Sequence, residues 1–280
     1  MAQSALSWSR RTQATTIPPV RLREPWWLLS IPLLLFLALP IAAIFLRTPP
    51  LQLLANLGQA QVVQAIGLSM LTTCITLAVT LVFGTPVAYL LARYNFPFRR
   101  AVDTLLDLPT VLPPSVAGVA LLMAFGRRGL VGEWLEIWGI HIAFTQVAVV
   151  LAQTFIAAPF YVKAATLGFT NVDNDLEQAA ALDGAGGWQV FRFITLPLSW
   201  SALLSGAVMT WARALGEFGA TIIFAGNYPG RTQTMPLAIY IGFELDLDVA
   251  LTLAVILVGC SFLVLMVVKG LLQRELRAGI

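Results

Sequence analysis

Two charged residues, Arg213 and Glu217, lie four positions apart inside the otherwise uncharged stretch 199–224, and they are the groups best placed to do chemistry in this chain. On a helix that spacing puts both on one face. A charge at membrane depth is costly, so it pairs or faces a cavity and marks a functional position by default. Two roles fit: mutual neutralisation that holds the helices together, or a balanced pair beside a route through the membrane.

The second set is a polar insert, Glu177-Gln178-Ala179-Ala180-Ala181-Leu182-Asp183-Gly184, closed by Ile194-Thr195-Leu196-Pro197. Its alanines favour helix and add almost no bulk, so a partner can approach the backbone closely. Gly184, Gly186 and Gly187 then break the helix, and a short run from Trp188 to Ile194 leads to Pro197. Proline suits the first turn of the following span, where its missing N–H would have been unpaired. Helix, sharp turn and short helix entering a span form an elbow that can pass a push into a membrane.

Other chemistry lacks its residues. There is no phosphate-binding loop of the form GxxxxGK[ST], no HExxH and no nucleophile elbow, so any ATP chemistry must come from another chain. Cys74 and Cys260 both fall inside expected spans, which implies neither a disulfide framework nor a cysteine metal site. The only histidine, His141, sits beside Trp138 near an expected membrane edge and reads as a surface residue.

The elements that position these residues follow from composition. Of 280 residues, 58% are hydrophobic and only 11% charged, against about 25% charged in soluble domains. Mean hydropathy is +0.82, and no charge occurs between Arg47 and Arg93. Such a chain is an integral membrane protein. Crossing about 30 Å of hydrocarbon takes roughly 20 helical residues. Windows of that length lie at 27–46, 65–92, 142–162 and 249–268, with two less pure ones at 102–125 and 199–224. Without period-2 alternation the expectation is an all-α bundle of six transmembrane helices within residues 26–272. Residues 1–25 and 273–280 read as cytoplasmic tails, and Trp26-Trp27 as an interfacial anchor.

Basic residues stay on the cytoplasmic side of short loops. Placing the N-terminus inside puts Arg10, Arg11, Arg21, Arg23, Arg93, Arg99, Arg100, Lys163, Arg192, Lys269, Arg274 and Arg277 inside. Only Arg47, Arg127, Arg128 and Arg231 are left outside, so both termini are expected in the cytoplasm, as is the insert 168–198. The net charge of +3 reflects this bias and does not indicate nucleic-acid binding. The first window, about 20 apolar residues after a polar lead of about 25, exceeds a signal peptide's apolar region of about 7 to 15 and reads as a retained helix.

Gln178-Ala179-Ala180, then Gly184, then Ile194-x-Leu196-Pro197 resembles the EAA loop of the permease subunits of bacterial ABC importers, which seats in a groove of the ATPase subunit. The motif's first acid aligns with Gln178, and Glu177 stands one position early. Leu108-Pro109-Thr110-Val111-Leu112-Pro113-Pro114-Ser115, Gly126-Arg127-Arg128-Gly129-Leu130-Val131-Gly132-Glu133, Arg213-Ala214-Leu215-Gly216-Glu217-Phe218-Gly219-Ala220-Thr221 and Gly230-Arg231-Thr232-Gln233-Thr234 resemble the molybdate and sulfate branch of that family. The Gly-Arg-Arg-Gly stretch favours molybdate, whereas the extra N-terminal span is more like sulfate/thiosulfate subunits.

This resemblance implies a six-helix permease of the type I ABC importer kind in the bacterial inner membrane, without its own ATPase site or cofactor. ATP and Mg would be bound by the partner ATPase subunit. A periplasmic or lipid-anchored substrate-binding protein and a second permease copy would complete the assembly. Glu177, Gln178, Ala179, Ala180, Asp183, Gly184, Ile194, Leu196 and Pro197 would form the coupling loop. Arg213, Glu217, Pro113, Pro114 and Ser115 would lie along the oxyanion pathway, with Thr110, Ser115, Thr154 and Thr210 as possible hydroxyl donors. The prolines from Pro109 to Pro114 remove backbone donors and kink or break the third span, as a pathway wall or as a packing kink. A secondary transporter or channel would instead show an inverted repeat or acidic relays, and neither is legible.

Overall fold

The computed structural model describes residues 26–278. The tail expected over 1–25 and the side chains of Trp26, Arg274 and Arg277 lie outside the described residues. In chain order the helices are α1 (Trp26–Arg47), α2 (Pro50–Asn56), α3 (Ala60–Arg93), α4 (Arg99–Val111), α5 (Pro114–Phe125), α6 (Gly132–Ile137), α7 (Gln146–Thr170), α8 (Asn174–Leu182), α9 (Gly187–Val190), α10 (Leu196–Leu198), α11 (Trp200–Leu215), α12 (Gly219–Phe224), α13 (Met235–Leu245) and α14 (Leu247–Ala278), with a π-helix at Phe191–Thr195 between α9 and α10. No strand occurs among the described residues.

Among the described residues four helices are long and apolar enough to cross a membrane: Trp27–Arg47, Ala60–Arg93, Gln146–Thr170 and Leu247–Gly270. Two bent pairs raise the count to six if each is one crossing. The first, α4 with α5, bends by 118°, so the apolar window at 102–125 is not one continuous span. Leu112 is extended with ψ 137°, the conformation favoured before a proline, and Pro114 then opens α5. The second pair, Gly187–Leu198 with α11, bends by 72°. The window expected at 199–224 also breaks, at Gly216–Phe218, because the Glu217 side chain caps α12 and ends the continuous helix. The last helix runs on to Ala278, so the residues of the expected tail that are described, 273–278, continue it as helix.

The N-terminal unit contains most of α1, in which an 18-residue window of Trp27–Arg47 has a mean hydropathy of 2.6. From Ile44 onward the chain forms its own core. In lipid there is little hydrophobic drive between helices, so they associate where small residues let backbones meet. A methyl group on Gly168 of α7 would lie 2.6 Å from Ala202 Cβ on α11, and one on Gly206 would lie 2.7 Å from Ala164 Cβ. The two helices therefore interlock through one small residue every fourth position on each side. Apolar clusters fill the rest: Tyr161, Phe169 and Leu203 join α3, α7 and α11, while Trp211, Leu215, Met235 and Leu253 join α11, α13 and α14.

Several buried polar side chains are paired across helices. Thr76 Oγ1 donates to Gln153 Oε1 at 3.1 Å, Thr85 Oγ1 and Tyr161 Oη share a hydrogen at 2.6 Å, and Asn56 Nδ2 donates to Thr252 Oγ1 at 2.9 Å. Lys163 on α7 holds α4 through Asp103 at 2.7 Å and Asp107 at 3.0 Å.

Candidate functional site: the elbow and the broken helices

The elbow is built as follows. Asp173 caps α8 by accepting from Asp175 N at 2.9 Å, which satisfies one of the free donors at the helix start. At the other end Ala185 N donates to Ala180 O at 3.0 Å and Gly184 N to Ala181 O at 3.1 Å. This Schellman closure needs a left-handed residue after the cap, and Gly184 supplies it at φ +92°. The chain then turns into α9, the π-helix and α10 without a pause.

Pro197 lies in the first turn of a helix, as expected, but that helix is the short α10, which begins at Leu196 directly after the π-helix, and not the long α11. The wide π turn has already shifted the hydrogen-bond ladder to a five-residue reach, with Leu196 N bonded to Phe191 O, so a residue without N–H fits at the junction. The π-helix is anchored by aromatic packing. Phe191 lies 5.1 Å from Tyr89 of α3 and 6.0 Å from Phe169 of α7, ring centre to ring centre. Trp188 stacks on it at 5.6 Å.

By contrast, α8 buries none of its residues. Gln178, Ala179 and Asp183 are exposed, and Ala180 is half-buried. Glu177 turns inward: its Oε1 takes Arg93 Nη2 at 2.7 Å and Thr195 Oγ1 at 2.5 Å. Ile194 is half-buried in the π-helix, Leu196 packs on the α3–α7–α11 core and Pro197 is exposed. The early position of Glu177 therefore separates two roles. Glu177 ties the elbow together, and Gln178 is left on the open face.

Two of the other motif segments, Leu108–Ser115 and Arg213–Thr221, meet. A methyl group on Gly219 would lie 2.7 Å from Pro114 Cβ, and one on Gly118 would lie 2.9 Å from Ala220 O. The start of α5 thus packs against the break between α11 and α12. At that break Arg213 Nη1 lies 2.8 Å from Glu217 Oε2, while Glu217 Oε1 accepts from Ala220 N at 2.8 Å. Pro113, Pro114 and Ser115 are exposed within this chain. Of the four hydroxyls considered as anion donors, Thr110 bonds back to Asp107 O at 2.7 Å and Thr210 reaches Ala157 O at 3.2 Å. Thr154 Oγ1 is buried without a partner, and Ser115, like Thr110, is exposed. Among the described residues no group of His, Cys, Asp or Glu could hold a metal.

The family described as "Binding-protein-dependent transport system inner membrane component" matches residues 84–278. The chain belongs to that family. Being such an inner membrane component, it is a multi-pass permease subunit that works with an ATPase subunit and a substrate-binding protein. It is 40% identical over 249 residues to the "Molybdenum transport system permease protein ModB" of Mycobacterium tuberculosis, which covers 89% of this chain and 94% of that protein. Its Escherichia coli K12 namesake is 47% identical over 178 residues, covering 63% of this chain and 78% of that protein. The "Molybdate/tungstate transport system permease protein WtpB" of Thermococcus kodakarensis is 36% identical over 87% of this chain and 93% of its own length. Among solved structures, a bacterial alginate ABC transporter superposes with a TM-score of 0.71 at 17% identity, covering 90% of this permease and 95% of that chain. The methionine transporter MetNI, in an inward-facing form, gives 0.59 at 20% identity over 76% of this permease and 95% of its chain. These two establish the permease fold.

Arg93, Thr195 and the Gly219–Pro114 contact were not singled out from sequence. Arg93 carried one signal: it is the first charge after the uncharged stretch 48–92, and it closes α3.

Proposed function

We propose that this permease imports molybdate, driven by an ATPase subunit seated on the exposed face of α8. The observation that carries this reading is the resemblance to a molybdenum permease along nearly the whole chain, together with an elbow that binds the bundle on one side and presents Gln178, Ala179 and Asp183 on the other. The chain supplies the pathway and no catalytic site. Two copies face each other across that pathway, and both termini and the elbow 168–198 lie in the cytoplasm.

The oxyanion passes the exposed corner formed by Pro113, Pro114 and Ser115 and the break at Arg213–Glu217. A tetrahedral dianion leaving water needs hydrogen-bond donors and some positive charge, but a conducting site must also release it. Arg213 supplies the charge, and Glu217 offsets most of it. Tungstate has the same charge and shape and travels the same way, in keeping with the name of the Thermococcus kodakarensis relative.

The test is uptake in vesicles carrying the permease, its ATPase subunit and its binding protein. Labelled molybdate is expected to accumulate only with ATP, with tungstate competing and sulfate failing to compete. Accumulation without ATP, or equal competition by sulfate, would contradict the reading.

A further inference from the structure

We propose that Arg93 is the positioning residue that carries motion of the coupling helix into the membrane bundle. The inference rests on the reading that α8 seats the ATPase subunit.

Three observations converge on its guanidinium. Nη1 donates to Asn174 Oδ1 at 2.6 Å, and Nη2 donates to Val172 O at 3.1 Å and to Glu177 Oε1 at 2.7 Å. One planar group therefore grips the turn before α8, its first residue and a carboxylate one turn along it. The same Glu177 oxygen accepts from Thr195 of the π-helix, so both arms of the elbow close on one point. Finally, α8 has no buried residue of its own. Whereas the π-helix holds the bundle through Phe191, Tyr89 and Phe169, α8 reaches it through polar contacts centred on Arg93.

The mechanical consequence follows from where Arg93 sits. It ends α3, a 34-residue helix that packs on α7 through Tyr161 and Val162 and on α11 through Leu203. A cation there also suits the negative end of the helix dipole. The Arg93 and Glu177 side chains are only 11% and 15% exposed, so water screens the pair weakly and it holds a fixed geometry better than a surface ion pair does. The planar fork matters, because a lysine's three donors sit on one nitrogen and do not reproduce the two-nitrogen grip in which Nη1 takes the amide and Nη2 the carbonyl and carboxylate.

The experiment uses the assembled transporter in vesicles, with radiolabelled molybdate uptake and ATP hydrolysis measured on the same samples. For Arg93→Gln the ATPase subunit is expected to co-purify at the wild-type ratio and to hydrolyse ATP, while molybdate imported per ATP falls by about 5- to 150-fold, the range of ordinary site-to-site coupling. Arg93→Lys is expected to fall between, and the exchange Arg93→Glu with Glu177→Arg to recover part of the loss. Unchanged uptake per ATP in Arg93→Gln would overturn the proposal. So would a loss of uptake that only tracks loss of the ATPase subunit. If the wild-type assembly itself imports no molybdate with ATP, the substrate reading fails instead, and the Arg93 variants are then compared on stimulation of ATP hydrolysis by the binding protein.

Discussion

Arg213 Nη1 lies 2.8 Å from Glu217 Oε2, yet the two side chains differ sharply in burial, 31% exposed for the arginine and 1% for the glutamate. Removing either partner is therefore not equivalent. Without Arg213 a buried carboxylate loses its counter-charge, a loss that costs about 3–5 kcal/mol in buried pairs. Without the Glu217 charge, Arg213 is still partly exposed on the surface of this chain.

The expected order of stability in detergent is wild type, then Glu217→Gln, then Arg213→Gln, read from thermal unfolding monitored by size-exclusion chromatography. Glu217→Gln keeps an acceptor for Ala220 N and is expected to lose about 1.5–3 kcal/mol, the worth of a hydrogen bond to a charged group. The opposite order would mean that the carboxylate draws its compensation from elsewhere.

Close contact between α7 and α11 gives a second expectation. With Ala164 Cβ 2.7 Å from a methyl at position 206, Gly206→Leu must push the helices apart and is expected to cost about 1–3 kcal/mol or more. Gly259→Ala, which has no atom within 4 Å of the added methyl, serves as the neutral control. Expression and thermal stability of the two variants measure the difference.

Gly184 at φ +92° tests the turn alone, since nothing lies within 4 Å of its missing side chain. Gly184→Ala is expected to cost about 1–2 kcal/mol through backbone strain and to lower ATP-driven uptake, with Gly184→Asn recovering part of it because Asn tolerates the left-handed region. Equal activity of all three would show that the elbow does not need this closure.

Lys163 bonds two acids, but it is 40% exposed and they are 53% and 50% exposed. Such pairs are worth about 0.2–1 kcal/mol each and weaken with salt. Lys163→Gln is expected to lower stability by no more than about 2 kcal/mol, and by less in high salt, as thermal unfolding at two ionic strengths would report.

Much of this was legible in the sequence, for identifiable reasons. Long uncharged windows announce helices because length and polarity alone decide who can cross lipid, and the i,i+4 spacing of Arg213 and Glu217 announces their pairing. What was hidden depends on distance along the chain or on backbone detail. Arg93 and Glu177 are 84 positions apart, and no local pattern joins them. An alanine-rich helix has no apolar stripe, so nothing in its period says that Glu177 turns inward. The prolines flag a break at Pro113–Pro114 but not its 118° angle, and an apolar window from 199 to 224 conceals the capping carboxylate that divides it. The π-helix at Phe191–Thr195 has no residue signature at all.

The seat of the ATPase subunit is tested most directly at Gln178. With Cys74 and Cys260 replaced, a cysteine at position 178 is expected to react with a membrane-impermeant maleimide only in inside-out vesicles, and to be shielded once the ATPase subunit is bound. Labelling from the outer side, or labelling indifferent to that subunit, would contradict the account.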